Sequence, residues 1–238
     1  MGVVFFYYVK QNEEELIMSV KAEGRLSHQK LGQQLELFMS MEEAPGMPFY
    51  LPKGMVLRNE LENLWREKHQ RAGYQEIKTP IMMKQELWEK SGHWDHYHEN
   101  MYFADVDEQK YAIKPMNCPG AVLIFNSKRR GYRELPIRYA ELGLVHRHEL
   151  SGSLNGLLRV RAFTQDDAHL FVLEEQIEGE LAKVLDLVDE FYRKFGFSYK
   201  VELSTRPEDF MGSVEVWDQA EEALESVLRG KQVEYQVN

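Results

Sequence analysis

The sequence predicts an α+β fold in which helices flank an antiparallel sheet. Three stretches carry hydrophobic residues at helical spacing, and shorter stretches rich in β-branched and aromatic residues lie between them. Because neither kind of element dominates the chain, an all-helical bundle and an all-β sandwich are both disfavoured.

The helices are predicted from hydrophobic side chains three and four positions apart. Leu57, Leu61 and Leu64 show this spacing in the first helix. The predicted helices cover 56–72, 173–195 and 216–228. Each is followed by a glycine that can end it: Gly73, Gly196 and Gly230.

Five segments rich in β-branched and aromatic residues predict strands. They cover 73–80, 111–114, 136–149, 158–165 and 198–203. The last eight residues alternate Val233, Tyr235 and Val237, which indicates a further strand. No later segment follows with which it could pair, so we expect an unpaired strand and a domain truncated at its C-terminal end.

A turn at Pro45-Gly46-Met47-Pro48 predicts a domain boundary. Residues 1–44 are then a leader, with a strand at 3–9 and one or two helices over 13–39. Residues 45–238 form the main domain. Leu31, Leu35 and Phe38 are placed on the leader helix by their spacing.

The composition excludes several classes of protein. The 238 residues are 43% hydrophobic and 12% aromatic, which excludes a disordered or fibrous chain. The early apolar run 3–9 is too short to span a membrane, so no membrane partner is expected. The single cysteine, Cys118, forbids an intrachain disulfide and favours the cytoplasm. With a net charge of -10, contacts to nucleic acid must come from local basic clusters.

The candidate site begins with an unusual strand face. Alternation along 158–169 places six polar or aromatic residues on one face: Arg159, Arg161, Phe163, Gln165, Asp167 and His169. A solvated sheet face with a chance histidine is one interpretation of this pattern. A face that lines a binding cavity is the other.

A neighbouring segment favours the cavity. Arg147 and Glu149 alternate in the same way on the preceding strand, and a polar loop over 150–157 connects the two as a hairpin. Guanidinium groups can clamp a polyphosphate, and the phenyl ring of Phe163 can stack on a base. The hairpin therefore predicts a nucleotide site, with ATP as its ligand.

The residues of this hairpin belong to a longer set of motifs. EEAPGMPFYLPKG, GYQEIKTP, LWEKSGHWDHYHENMY, KPMNCPG, VHRHE, LNGLLRVRAFTQDDAH and LSTRPEDF occur in this order between Gly2 and Asn238. With them the sequence resembles bacterial threonyl-tRNA synthetases, which are class II aminoacyl-tRNA synthetases. GYQEIKTP resembles motif 1, whose Pro80 lies at a homodimer interface, and the hairpin resembles motif 2.

The resemblance implies a role for each residue. Arg147 would hold the ATP α-phosphate and Glu149 the adenine amino group. Arg159 would hold the phosphate tail, and Phe163 would stack on adenine. Gln165 and Asp167 would bind threonine, with Arg147 and Asp167 as the catalytic residues. The implied activity is that of a ligase: Mg²⁺-ATP activates threonine to threonyl-adenylate, which is transferred to tRNA(Thr).

The resemblance also implies a zinc ion. Cys118 and His169 match two of its three protein ligands, and the third lies in a later segment that this chain lacks. From the residues alone, a buried thiol and a hydrogen-bonded histidine are the commoner interpretations. His93, His96 and His98 are an alternative ligand set. Zinc would bind both the amino group and the side-chain hydroxyl of threonine, and valine lacks the hydroxyl.

Two departures leave a second function open. The family usually has a histidine after NCPG, whereas this chain has Ala121, and the chain ends before motif 3 and the anticodon-binding domain. A truncated synthetase-like protein without ligase activity, acting as an ATP- or threonine-binding or interaction module, is therefore the alternative.

Overall fold

The computed structural model describes residues 26–208, 210 and 212–238, apart from the side chains of Asp95 and His96. The strand predicted at 3–9 and the start of the helix predicted over 13–39 lie outside these residues. The described chain divides into two compact units. One contains the residues up to Arg130 with Arg138–His169, and the other contains Gly131–Ile137 with Leu170–Asn238. No described helix has the length and apolar character needed to cross a bilayer.

The first unit contains five helices among its described residues. They are α1 (His28–Gln34), α2 (Pro52–Arg71), α3 (Gln85–Lys90), α4 (His93–Tyr97) and α5 (Cys118–Asn126). The predicted helix over 56–72 is confirmed as α2, which begins earlier because proline is well suited to the first helical turn. Phe38 was expected on the leader helix, but this was wrong, because α1 ends at Gln34 and Phe38 lies on the next strand.

Eight strands begin or run in the first unit. They are β1 (Phe38–Met39), β2 (Phe49–Tyr50), β3 (Gln75–Glu76), β4 (Met82–Lys84), β5 (Tyr102–Val106), β6 (Gln109–Ile113), β7 (Ile137–His146) and β8 (Ala162–Phe171). β1 pairs antiparallel with β2, and β6 lies between antiparallel β4 and β5. The third sheet has the order β3-β7-β8, in which β3 is parallel to β7.

The strand predicted over 158–165 is shifted in the structure. β8 starts at Ala162 and continues to Phe171, so Arg159 and Arg161 precede it. The backbone at Arg159 instead closes a turn with Asn155, and the Arg161 amide donates to Gly46. The contact between Asn155 and Arg159 is local, whereas Gly46 belongs to a distant segment, and alternation alone predicts neither.

The second unit is built on two amphipathic helices, α6 (Ile177–Phe195) and α7 (Val214–Gly230). Both confirm the predicted helices, and Gly196 ends α6 in the left-handed conformation at φ 69°. Their apolar faces pack on β9 (Val201–Leu203) and β10 (Tyr235–Val237). The core residues are Ile177, Leu181, Leu185, Val201, Leu203, Val227 and Leu228.

The expectation that the last strand is unpaired was wrong. β10 pairs in parallel with β9, with Tyr235 opposite Val201 and Val237 opposite Leu203. The hydrogen bond from the Asn238 amide to the Leu203 carbonyl extends this pairing. The alternation of Val233, Tyr235 and Val237 therefore reflects a partner about 35 residues earlier in the chain, which periodicity cannot reveal.

Candidate active site

Strand β8 presents different chemistry on its two faces. Asp166 points to α2, where it accepts a hydrogen bond from the Trp65 indole and lies 3.2 Å from His69 Nε2. Asp167 points the other way and accepts a hydrogen bond of 2.8 Å from Asn117 Nδ2. The predicted alternation is therefore confirmed within β8, since one acidic residue anchors the helix while its neighbour joins the candidate site.

Asn117 brings the two proposed threonine contacts together. Its Nδ2 donates to Gln165 Oε1 at 3.2 Å and to Asp167 Oδ2 at 2.8 Å. Asn117 is fully buried and immediately precedes α5. The result is a short row of polar groups that presents a carboxylate and an amide oxygen, which suits a ligand ammonium group.

The negative charge of Asp167 acts on both Cys118 and His169. Burial, and to a smaller extent the negative charge of Asp167, raise the pKa of the Cys118 thiol to about 12. Burial lowers the pKa of His169, against the opposing effect of Asp167 and Glu141. Without a bound cation the thiol is therefore protonated and the imidazole neutral at pH 7.

Arg147 and Phe163 lie together at the start of β8. The guanidinium carbon of Arg147 is 5.3 Å from the centre of the Phe163 ring, and its Nε donates to the Pro115 carbonyl at 3.2 Å. A cation over one face of the ring fixes the aromatic side chain. A positive group thus lies beside an aromatic surface.

Glu149 and Arg159 form an ion pair with each other. Arg159 Nε and Nη2 donate to Glu149 Oε2 at 3.0 and 2.9 Å, and the arginine side chain is 58% exposed. Arg161, predicted to share the clamp, does something else. It donates to the carbonyls of Glu149 and Pro45 and to Ser151 Oγ, so it holds the loop.

A buried ionic cluster, which the sequence did not predict, adjoins the candidate site. Lys114 Nζ donates to Thr79 Oγ1 at 2.7 Å and to Glu141 Oε1 at 3.1 Å. The Thr79 amide donates to the same carboxylate at 2.9 Å. Burial lowers the pKa of Lys114, and Glu141 opposes that shift. The cluster ties together the segment before Pro80, the end of β6 and the middle of β7.

A cavity of about 500 Å³ is lined by residues of α2 and of the sheet β3-β7-β8. Arg58, Arg66, Lys78 and His146 line it together with Glu62 and Glu76. Of the predicted site residues only Phe163 lines this cavity. The polar row at Asn117 is therefore separate from it.

With this geometry described, comparison with known proteins identifies the family. Residues 101–233 match the family model described as "tRNA synthetase class II core domain (G, H, P, S and T)". That range covers β5 to the segment before β10 and includes Asn117, the hairpin and α7. The chain belongs to this class II family.

The chain is also similar to curated threonine–tRNA ligases. It is 64% identical over 211 residues to the protein of that name from Carboxydothermus hydrogenoformans, and covers 33% of it. It is 58% identical over 225 residues to that from Syntrophomonas wolfei, and covers 35% of it. These matches include 89% and 94% of this chain. The class II chain therefore spans about a third of the length of these relatives.

Solved structures agree with this assignment. A crystal structure described as the RNA binding domain of threonyl-tRNA synthetase from Cryptosporidium parvum Iowa II is 42% identical, with a TM-score of 0.84, over 89% of this chain and 53% of that one. Prolyl-tRNA synthetase from Giardia lamblia is 18% identical, with a TM-score of 0.64, over 79% of this chain and 38% of that one. The more distant structure shows the shared fold alone.

The residues present fit a zinc ion in kind but not in number. A thiol and a neutral imidazole are good zinc ligands, and a catalytic zinc usually takes three protein ligands. Among the residues that the structure describes, no three His, Cys, Asp or Glu side chains could hold one metal ion. Of the alternative set, His93 packs on Trp88 and His98 on Trp94.

Two residues at or beside the candidate site, Asn117 and Lys114, were not predicted from the sequence. Asn117 belongs to the quoted motif KPMNCPG, but nothing in its spacing distinguished it from its neighbours. A lysine between an apolar strand and a proline was the available signal for Lys114. Ala121, at the position after NCPG where the resemblance implies a histidine, is fully buried on α5.

Proposed function

We propose that this chain is the part of a threonine–tRNA ligase catalytic domain that binds ATP and threonine. The observation that carries the proposal is the order of groups along one face of β8. Phe163 lies beside Arg147, and Gln165 and Asp167 follow on the same face, joined by Asn117. A nucleotide site next to a site for the amino group is what amino-acid activation requires.

The nucleotide contacts follow from these positions. Phe163 stacks on adenine, and Arg147 binds the α-phosphate of Mg²⁺-ATP. Glu149 accepts from the adenine amino group, and Arg159 binds the phosphate tail. The last two residues pair with each other in the absence of ligand, and the exposed pair opens at little cost.

The chemistry proposed is carboxylate attack on phosphorus. A threonine carboxylate oxygen forms a bond to the α-phosphorus while the bond to the bridging oxygen breaks, and pyrophosphate leaves. The terminal ribose hydroxyl of tRNA(Thr) then attacks the carbonyl carbon, and AMP leaves. Arg147 stabilises the charge that develops on the phosphate, and Asp167 accepts a hydrogen bond from the threonine amino group.

A zinc ion belongs to the proposed threonine site. Cys118 and His169 would supply two of its protein ligands, and the metal would act as a Lewis acid toward the threonine amino group and hydroxyl. Homodimerisation through the segment that ends at the exposed Pro80, and a cytoplasmic location, belong to the same proposal.

One observation favours a second candidate function. Ala121 is completely buried on α5, so the site has no imidazole at the position where the resemblance implies one. A chain with this site could bind ATP or threonine, or act as an interaction module, without ligase activity.

Exchange of labelled pyrophosphate into ATP tests the first function against the second. With zinc present, we expect threonine to support exchange well above valine, because valine lacks the hydroxyl. No exchange by a folded chain that still binds ATP would favour the binding function.

Arg147→Ala tests the nucleotide site directly. We expect ATP affinity to fall at least about tenfold, which corresponds to about 1.4 kcal/mol. Arg71→Ala is the matched control, since Arg71 is exposed and pairs only along its own helix with Glu67. Equal ATP affinity in the wild type and Arg147→Ala would contradict the role given to Arg147.

A further inference from the structure

We propose that Asn117 is a positioning residue that sets the orientation of Gln165 and Asp167 for the threonine amino group. The inference rests on the proposed function, and it assigns a role to a side chain that does not itself need to contact substrate. Both Nδ2 hydrogens of Asn117 are used, one for each acceptor, at 3.2 and 2.8 Å.

The side chain of Asn117 does not cap helix α5. Asn117 occupies the N-cap position of α5, where asparagine side chains commonly accept a hydrogen bond from the helix backbone. Here the side chain makes no such cap, and it turns to β8 instead. The local helix-stabilising interaction has been given up for contacts 48 and 50 residues away.

The hydrogen bonds to β8 fix the orientation of the Asn117 amide. Asn117 Oδ1 is buried and has no hydrogen-bond partner among the described residues. The two acceptors on β8 therefore determine how the amide is turned. The opposite orientation would place Oδ1 against the Asp167 carboxylate, and two acceptors repel each other at that distance. The amide is thus held in one orientation.

Gly143 on β7 leaves the space that the Asn117 side chain occupies. A Cβ added at Gly143 on β7 would lie 2.2 Å from Asn117 Nδ2 and 2.4 Å from its Cγ. Real Cβ atoms do not approach other atoms so closely, so only glycine leaves room for the amide. The backbone of β7 thus forms a notch that seats Asn117, and the seated amide cannot shift away from Asp167 without leaving it.

Together these contacts order two hydrogen-bond acceptors, on Gln165 and Asp167, before the threonine amino group binds. After accepting from Asn117, the Asp167 carboxylate keeps a free oxygen and Gln165 Oε1 keeps a second lone pair. Preorganised acceptors bind more tightly than mobile ones, since ordering them costs nothing at the moment of binding. Removing Asn117 should therefore weaken threonine binding and leave ATP binding unchanged.

Calorimetric titration of threonine, and separately of ATP, into the chain with added zinc tests this. Asn117→Ala should weaken threonine binding at least about tenfold and change ATP affinity less than about twofold. Asn117→Asp keeps the side-chain shape but replaces the donor, so it should lose threonine affinity even where the alanine variant fails to fold. Asn126→Ala and Asn126→Asp are matched controls at the exposed end of the same helix.

The outcomes separate the two proposals. No threonine binding by the wild-type chain would overturn the proposed amino-acid site, and the inference with it. Threonine binding that survives in a folded Asn117 variant would overturn the inference alone. A loss of threonine and ATP affinity by the same factor, with altered circular dichroism, would show a general structural role and would also overturn it.

Discussion

Two ion pairs in the same unit have almost the same length and very different surroundings. Lys114 Nζ lies 3.1 Å from Glu141 Oε1, and Arg159 Nη2 lies 2.9 Å from Glu149 Oε2. The first pair is 0% and 1% exposed, whereas the second is 58% and 22% exposed. Burial, rather than distance, decides which pair can be broken.

The difference assigns the two pairs to different tasks. Breaking the buried pair leaves an uncompensated charge away from water, so it behaves as a fixed part of the fold. Water replaces either partner of the exposed pair at little cost, so that pair can exchange its partner for a ligand. The fixed cluster adjoins the candidate site, and the pair that can open lies at the end where we propose that ATP binds.

The largest expected effect is on the buried cluster. Lys114→Met should lower the free energy of unfolding by about 3–5 kcal/mol, because Glu141 loses its counter-charge. Urea unfolding followed by circular dichroism measures this. The double variant Lys114→Met with Glu141→Gln should recover part of the loss, since a neutral amide can still accept from the Thr79 amide. A double variant no more stable than the single one would contradict the explanation.

A smaller effect is expected of the Asp167 charge on the reactivity of the Cys118 thiol. Asp167 helps to raise the pKa of the Cys118 thiol to about 12, so metal-free protein should react very slowly with iodoacetamide at pH 8. Asp167→Asn should lower the thiol pKa, and the rate should rise about tenfold for each unit of that fall. The sole cysteine makes the assay specific. Asp166→Asn is the control on the opposite face, and equal rates in both variants would contradict the role of Asp167.

Burial also affects a histidine, His146, at the end of β7. Burial lowers the pKa of His146, so below about pH 6.5 the unfolded chain takes up its proton before the folded chain does. The free energy of unfolding should therefore fall as the pH is lowered, by at most about 1.4 kcal/mol per pH unit from this group. His146→Gln should reduce the slope. Urea unfolding between pH 7.5 and 5 measures the slope, and an equal slope in the wild type and His146→Gln would contradict this role.

The smallest effect is expected at the exposed pair. Arg159→Gln should change the free energy of unfolding by only about 0–1 kcal/mol, because water replaces the lost partner. The same variant should weaken ATP binding, which distinguishes a ligand contact from a structural one. A large loss of stability would show that this pair is not free to open.

How much the sequence predicted depended on the range of the interactions involved. The long helices α6 and α7, the strand β7 and the alternation within β8 were predicted, because each depends on local periodicity. The Lys114 cluster was missed because its members are 27 and 35 residues apart. The partner of β10 and the contacts of Asn117 were missed for the same reason. The roles of the eight predicted site residues stay predictions, as does the boundary at residue 44.

Close packing around two glycines affects where this chain can be shortened. A Cβ at Gly54 would lie 1.9 Å from the Leu37 carbonyl oxygen, and one at Gly156 would lie 2.1 Å from His28 Nε2, which also accepts from the Leu157 amide. The segment 28–37 thus supports both the first turn of α2 and the loop over 150–157. Cloning a shorter version from Pro45 would remove that support, and protease resistance of the loop would fall before the fold itself was lost.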